Sequence, residues 1–224
     1  MNDQTAFVLS LSIIFSVFIG IIRFNKMDKR YYPFIFYICV VLITELAVKF
    51  FMDRGKEWGH WIMPWMNCYA LAEFCLLLWF FNQLGLANRN RENIYFLLGG
   101  AVLSWTVMVP FYKGLQNPAQ LFYIFYSFVL VFASVYLLNK IIVYEKRSLL
   151  RNAEFLICLG VIIFFTFFIL YWATNISLFG VIRGSASFQR NVGSIKNITN
   201  LFVNLLYAVA ILWIPTKTKF TRVF

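Results

Sequence analysis

An acidic residue lies near the middle of one of the most apolar stretches of the chain. Glu73 belongs to the run from Met63 to Asn82, which is long enough to cross a lipid bilayer as a helix. A carboxylate at that depth is costly, so it must face inward and be neutralised there. Asn67 and Tyr69 precede Glu73, and Tyr69 lies one helical turn away, where no basic residue is found. The neutralising group is therefore a proton, a cation or a side chain on another helix.

A second acid, Glu45, is followed one helical turn later by Lys49. Residues four positions apart lie on one helix face, and acid before base is the favourable order. We expect a local ion pair, with the Lys49 ammonium reaching toward the headgroups at the outer end of its span. The alternative is that Glu45, together with Glu73, marks the path of a cation or a proton.

Polar side chains recur along the last apolar run. Asn197, Asn200, Asn204 and Tyr207 are three, four and three residues apart, a spacing that places them on one stripe of a helix. Amides in lipid must face the protein interior, where they hold helices together by hydrogen bonds or line a ligand site. We expect Asn204 near the depth of Glu73, and both explanations of the stripe stay open.

The patterns of the common catalytic and metal sites are missing. The one histidine, His60, lies in a polar segment, and the four cysteines lie inside apolar runs without CxxC spacing. Neither HExxH nor GxSxG occurs, and the last apolar run lacks the central lysine that holds the chromophore in retinal proteins. We therefore expect a non-enzymatic protein with free thiols and with no metal or other cofactor.

Seven apolar runs approach the roughly 20 residues that a membrane-spanning helix needs. They are about Ala6 to Arg23, Tyr32 to Met52, Ile62 to Asn82, Asn93 to Tyr112, Ala119 to Ile142, Glu154 to Asn175 and Ile195 to Ile214. The longest connection, Ser177 to Ser194, is expected to be a linker that lies on the outer interface, with a lid as the alternative. The sequence predicts one all-α integral membrane domain over residues 1–224, a bundle of seven spans. Six spans are the second choice, because Gly99, Gly100, Ser104 and Pro110 weaken the fourth run.

Composition and charge agree with this class of protein. Of the 224 residues, 62% are hydrophobic and 13% are charged, which leaves too little polar surface for a water-soluble domain. The formal net charge is +11, but the basic residues collect in short segments between apolar runs. That distribution is typical of contact with lipid headgroups and of topology control, and it argues against nucleic acid as the partner.

The distribution of basic residues also predicts an orientation. With the N-terminus outside, 13 of the 20 Lys and Arg residues fall on the cytoplasmic side and seven on the other, so the sequence predicts N-out and C-in. Several inner basic residues are expected to contact headgroups or a cytoplasmic or membrane protein partner; they are Arg23, Lys26, Lys29, Arg30, Lys146, Arg147 and Arg151.

Four short patterns resemble those of a known group. They are Tyr69 to Phe74 (Tyr-x-x-x-Glu-Phe), Glu154 with Phe155, Asn200 with Asn204 and Tyr207, and the short N-terminal segment. The combination resembles uncharacterised small seven-span inner-membrane proteins of Bacteroidota. The resemblance implies an inner-membrane location and no established activity.

Two functions from different classes follow. The first is a sensing, binding or accessory module, whose polar core takes a small ligand or a proton and whose basic loops dock a separate partner. The second is a transporter or pore for a small solute, cation or proton, in which Glu73 and Glu45 mark the path. A homo-oligomer also stays open, because Gly99 and Gly100 with Ser104, and Ala133 with Ser134, offer close-packing faces either within one bundle or between two.

Overall fold

The computed structural model describes residues 3–86, 91–111, 114–144, 148–175 and 186–216. Over these residues the structure is helical apart from turns and one isolated backbone bridge between Met27 and Thr216. The all-α prediction is confirmed. Five helical segments are long and apolar enough to cross a membrane; they are Lys29–Asp53, Glu57–Gln83, Gln120–Tyr144, Ala153–Ala173 and Asn191–Trp213. Two shorter apolar helical segments cover Phe7–Arg23 and Tyr95–Pro110.

The α-helices of the described residues follow one another along the chain. They are α1 (Asp3–Ser10), α2 (Ile13–Arg23), α3 (Tyr32–Asp53), α4 (Lys56–Gly59), α5 (Ile62–Gln83), α6 (Arg91–Thr106), α7 (Gln120–Tyr144), α8 (Ala153–Ala173) and α9 (Ala186–Trp213). Helix α6 continues as a wider helical turn over Val107–Phe111. Pro110 lies in that turn, because a proline has no N–H for the ordinary helical hydrogen bond.

Local chemistry explains several helix ends. Pro33 lies in the first turn of α3, where its missing N–H costs nothing. The side chain of Asn152 caps α8 by accepting hydrogen bonds from the backbone N–H groups of Glu154 (2.8 Å) and Phe155 (3.2 Å). Gly85, with a φ of 91°, ends α5 in the left-handed region that favours glycine. The predicted bounds of these three helices hold to within about two residues.

Two predicted boundaries are wrong. The first apolar run is a pair of helices, with a break at residues 11–12 between α1 and α2. Serine hydroxyls compete for backbone carbonyls there: Ser10 donates to Phe7 O (2.9 Å) and Ser12 to Leu9 O (2.7 Å). The predicted linker from Ser177 to Ser194 is helical from Ala186 onward, since α9 begins nine residues before the predicted Ile195. The rest of that linker lies outside the described residues.

The helices pack as a closed ring. Helix α2 contacts α3, α3 contacts α5, α5 contacts α7, and the ring continues through α8 and α9 back to α2, while α6 packs on α5. Aromatic contacts cross the interior, such as the edge-to-face pair of Phe34 and Tyr207 at 5.1 Å between ring centroids. We call the end of the ring that carries Arg23, Arg30 and Arg151 the basic end. Polar side chains from α3, α5, α7 and α9 meet midway between the ends.

Candidate functional site

Glu73 lies midway along α5 and is only 2% exposed. Its Oε1 accepts a hydrogen bond from the Tyr69 hydroxyl at 2.8 Å, and its Oε2 accepts one from the Tyr126 hydroxyl, also at 2.8 Å. Tyr69 is one turn away on the same helix, whereas Tyr126 comes from α7. Both carboxyl oxygens are therefore hydrogen-bonded, and both donors are uncharged.

Two further tyrosines complete this group, which we call the Glu73 cluster: Glu73, Tyr69, Tyr126, Tyr37 and Tyr207. The Tyr37 hydroxyl, from α3, also interacts with the Glu73 carboxyl. The Tyr207 ring, from α9, lies 6.4 Å from the Tyr37 ring between centroids. Four helices thus each contribute to the surroundings of one acid.

The hydroxyl of Tyr207 makes no hydrogen bond of ordinary geometry among the described residues, although the residue is only 2% exposed, and it interacts with the Tyr37 hydroxyl. Its ring is fixed by close packing on Gly160 of α8, where an added Cβ would lie 2.5 Å from Tyr207 Cε1. A buried hydroxyl without a partner costs roughly 1–3 kcal/mol.

A cavity of about 100 Å³ lies beside the Glu73 cluster. Its wall is aromatic and polar and includes residues from α3, α5, α8 and α9. The lining residues are Tyr37, Val41, Glu45, Met66, Tyr69, Glu73, Phe164, Phe168, Lys196, Asn200, Val203, Asn204 and Tyr207. Tyr207 therefore contributes to the lining of a polar cavity.

The predicted ion pair between Glu45 and Lys49 is wrong. The Lys49 ammonium contacts Asp53 Oδ1 at 2.6 Å, one turn further along α3, where both side chains are well exposed. Glu45 instead lines the cavity, lies close to the Ser10 side chain and interacts electrostatically with Lys196. Lys49 had an acid one turn away on each side, and it pairs with the acid nearer the end of the helix.

Glu45 and Lys196, which both line the cavity, do not contact each other. Among the described residues, Glu45 and Lys196 form no direct ion pair, and the Lys196 ammonium lies 4.8 Å above the centre of the Tyr171 ring. The Lys196 ammonium thus lies over a ring that is not part of the cavity lining.

Two asparagines of the α9 stripe have different roles. Asn204 is buried, and its Nδ2 donates to Ser12 Oγ at 2.9 Å and to Ser10 O at 3.4 Å, across the break between α1 and α2. Its backbone carbonyl accepts from Ser16 Oγ at 2.7 Å. Asn200 is half-buried and lines the cavity. Neither residue hydrogen-bonds to Glu73.

Asn67 acts at a distance from the cavity. Its Nδ2 donates to the carbonyls of Leu115 (2.9 Å) and Asn117 (3.0 Å), and its Oδ1 accepts from the Tyr123 hydroxyl at 2.6 Å. Its own carbonyl accepts from Trp105 Nε1 at 2.8 Å. This residue is completely buried and fixes the connection before α7 to α5. It stabilises the framework and does not line the cavity.

The basic end uses several of its charges internally. The Arg23 guanidinium donates to Leu212 O and Ile214 O, both at 2.8 Å, at the end of α9. Arg30 pairs with Asp28 at 2.9 Å and lies 3.6 Å from Glu154 Oε1. Arg23 and Arg30 thus make contacts within the chain, and their expected contact with headgroups or with a partner stays a prediction.

A cleft of about 790 Å³ opens at the basic end beside Arg30, Tyr31, Arg151, Glu154 and Trp213. The Arg151 guanidinium lies 5.6 Å above the Trp213 ring. The remaining predicted contact residues are Lys26 and Lys29, which are exposed, and Lys146 and Arg147, which lie outside the described residues.

Comparisons with protein-family models, curated proteins and solved structures gave no match.

Proposed function

We propose that the protein is a non-enzymatic integral membrane binding module that takes a small polar ligand in the cavity beside the Glu73 cluster. The observation that carries the proposal is that Glu45, Glu73 and Lys196 line one aromatic cavity between the helices, together with further polar side chains. A small ligand with donor or acceptor groups would bind to them. Convergent polar groups in an aromatic pocket between helices are typical of ligand sites.

The membrane arrangement is part of the proposal. The pair α1 and α2, together with α6, would complete seven spans with the five longer segments, and the basic end would face the cytoplasm of an inner membrane. Single cysteines test the orientation in whole cells. Arg54→Cys should react with a membrane-impermeant maleimide, and Lys26→Cys should react only after permeabilisation. The reverse pattern would overturn the orientation.

Ligand binding is tested by thermal unfolding of the purified protein in detergent with a panel of small cationic, zwitterionic, neutral and anionic solutes. At least one solute should raise the unfolding temperature in a saturable way. Asn200→Phe, which places a ring in the cavity, should abolish that increase. Asn197→Phe is the matched control, because Asn197 lies on the same helix outside the cavity lining, and it should retain the increase. No saturable response to any solute would remove the proposal.

A transporter is the second candidate, because Glu45 and Glu73 line one cavity from two different helices. This arrangement suits a cation or proton path. In proteoliposomes, wild-type protein should then support a pH-driven flux that Glu73→Gln abolishes while the protein stays folded. Ligand-dependent stabilisation without flux would favour the binding module.

The basic end is the proposed contact with anionic headgroups or with a cytoplasmic or membrane partner. Arg151, in its cleft, is the described residue that best fits this role. Arg151→Ala should reduce the stabilisation that phosphatidylglycerol gives over phosphatidylcholine in nanodiscs. Arg54→Ala is the control, because Arg54 also lies over a ring, that of Phe50 at 5.0 Å, but at the opposite end. Equal losses for the two variants would contradict the assignment.

A further inference from the structure

The charges that line the central cavity do not balance. The lining contains two carboxyl groups, Glu45 and Glu73, and one ammonium, Lys196. Lys196 interacts electrostatically with Glu45, and these two charges offset one another. Glu73 remains, with tyrosine hydroxyls as its described partners. A buried carboxyl group is stable only when a proton neutralises it or when a positive charge and hydrogen bonds compensate for its lost hydration, and a bound cation would supply that charge to Glu73.

From this imbalance we infer that the ligand is a small monovalent organic cation with N–H donors, such as a protonated amine or amidine, bound between Glu73 and the Tyr207 hydroxyl. The inference rests on the proposed binding function and names its ligand class. One N–H would donate to a Glu73 oxygen and another to the Tyr207 oxygen. A carboxylate oxygen that already accepts one hydrogen bond retains acceptor capacity for a second.

The wall of the cavity suits an organic cation. Tyr37, Tyr69, Phe164 and Phe168 line it, and aromatic rings attract organic cations through their faces. Alkali ions need a shell of several oxygen ligands, and the lining also contains side-chain oxygens, so sodium and potassium are tested directly. The volume of about 100 Å³ limits the ligand to roughly four to six heavy atoms, given that a dry cavity of about 150 Å³ takes benzene.

Three probes of nearly equal shape separate charge from size. Acetamidinium, acetamide and acetate each have four heavy atoms and are respectively cationic, neutral and anionic. Thermal unfolding of the full chain is followed in detergent at constant ionic strength, with sodium and potassium chloride as further arms. We expect acetamidinium to raise the unfolding temperature in a saturable way and the other probes to leave it unchanged.

Variants locate the effect. Glu73→Gln should abolish the acetamidinium response, and Tyr207→Phe should weaken apparent binding about tenfold, the loss of one hydrogen bond to a charged donor. Glu154→Gln, the same change at the basic end, should leave the response intact. If Glu73→Gln does not fold, the probe series on the wild-type chain and on Tyr207→Phe decides.

The possible outcomes distinguish the inference of a cationic ligand from the proposed binding function. Equal or better protection by acetamide or acetate, blocked by Asn200→Phe, would overturn the cationic ligand and leave the binding module standing. Protection by sodium or potassium alone would also overturn the organic cation. The absence of saturable protection by any solute, these probes included, would overturn both.

Discussion

Two carboxyl groups in this molecule are each bound by a tyrosine, but their other partners differ. Glu154, in the first turn of α8, accepts from the Tyr31 hydroxyl at 3.1 Å and lies 3.6 Å from the Arg30 guanidinium, with 22% of its side chain exposed. Glu73, midway along α5, has tyrosine hydroxyls alone as its described hydrogen-bond partners. At the bundle end a long basic side chain reaches the acid, whereas in the middle the helices supply hydrogen bonds without positive charge.

The largest expected effect in this comparison comes from removing a hydroxyl in the middle of the bundle. Tyr126→Phe should lower the free energy of unfolding by about 2 to 3 kcal/mol, because Glu73 Oε2 loses a buried hydrogen-bond donor. Unfolding in detergent measures the loss. Tyr136→Phe is the control, because Tyr136 is 55% exposed on the same helix, and it should have almost no effect.

Gly160→Ala should cost about 2 kcal/mol. The new Cβ would lie 2.5 Å from Tyr207 Cε1, so the ring must move toward the cavity or the helices must separate. The same unfolding measurement should show no loss for Gly99→Ala, where an added Cβ has no atom within 4 Å. If Gly160→Ala were as stable as the wild type, the fixed position of the Tyr207 hydroxyl would be in doubt.

Tyr31→Phe tests the other side of the comparison. We expect a loss of about 1 kcal/mol in unfolding free energy, because Glu154 keeps Arg30 and access to water. Glu154 is partly exposed and has an arginine nearby, so the Tyr31 hydroxyl should contribute less to stability than the Tyr126 hydroxyl. A loss as large as that of Tyr126→Phe would contradict this explanation.

The smallest effect is expected at the exposed pair of Lys49 and Asp53. Lys49→Met should change the unfolding free energy by less than about 0.5 kcal/mol, because side chains that are 40% and 60% exposed are screened by water. Lys196→Met should cost more, because it removes the cation that offsets Glu45 within the cavity. Equal effects would show that Glu45 does not depend on Lys196.

Periodicity and length were enough to predict the helices, because apolar runs of this length have few other structures available. The contact between Tyr69 and Glu73 also follows from sequence, since four residues make one turn. The break between α1 and α2 was not predicted. Its cause is a group of serine hydroxyls whose partner, Asn204, is far away in the chain.

Partners on other helices could not be predicted, because a sequence does not fix how each helix is rotated about its axis. The run that contains Tyr126 has several polar residues, and the sequence does not indicate which of them contacts Glu73. Tyr37 lies in the aromatic segment from Phe34 to Val41, where nothing marks one ring as the inward one. The mistaken pairing of Lys49 had a visible warning, because Asp53 lies four residues beyond it and nearer the end of the run.

The contacts of Arg23 bear on the order in which the chain assembles. This arginine at the end of α2 binds the last carbonyls of α9, and Asp28 N donates to Pro215 O at 3.2 Å. During synthesis, α2 would leave the ribosome long before α9 and would lack this partner until nearly all the described helices had been inserted. Ring closure would then be a late event, and the central cavity would acquire its α9 wall only at that step.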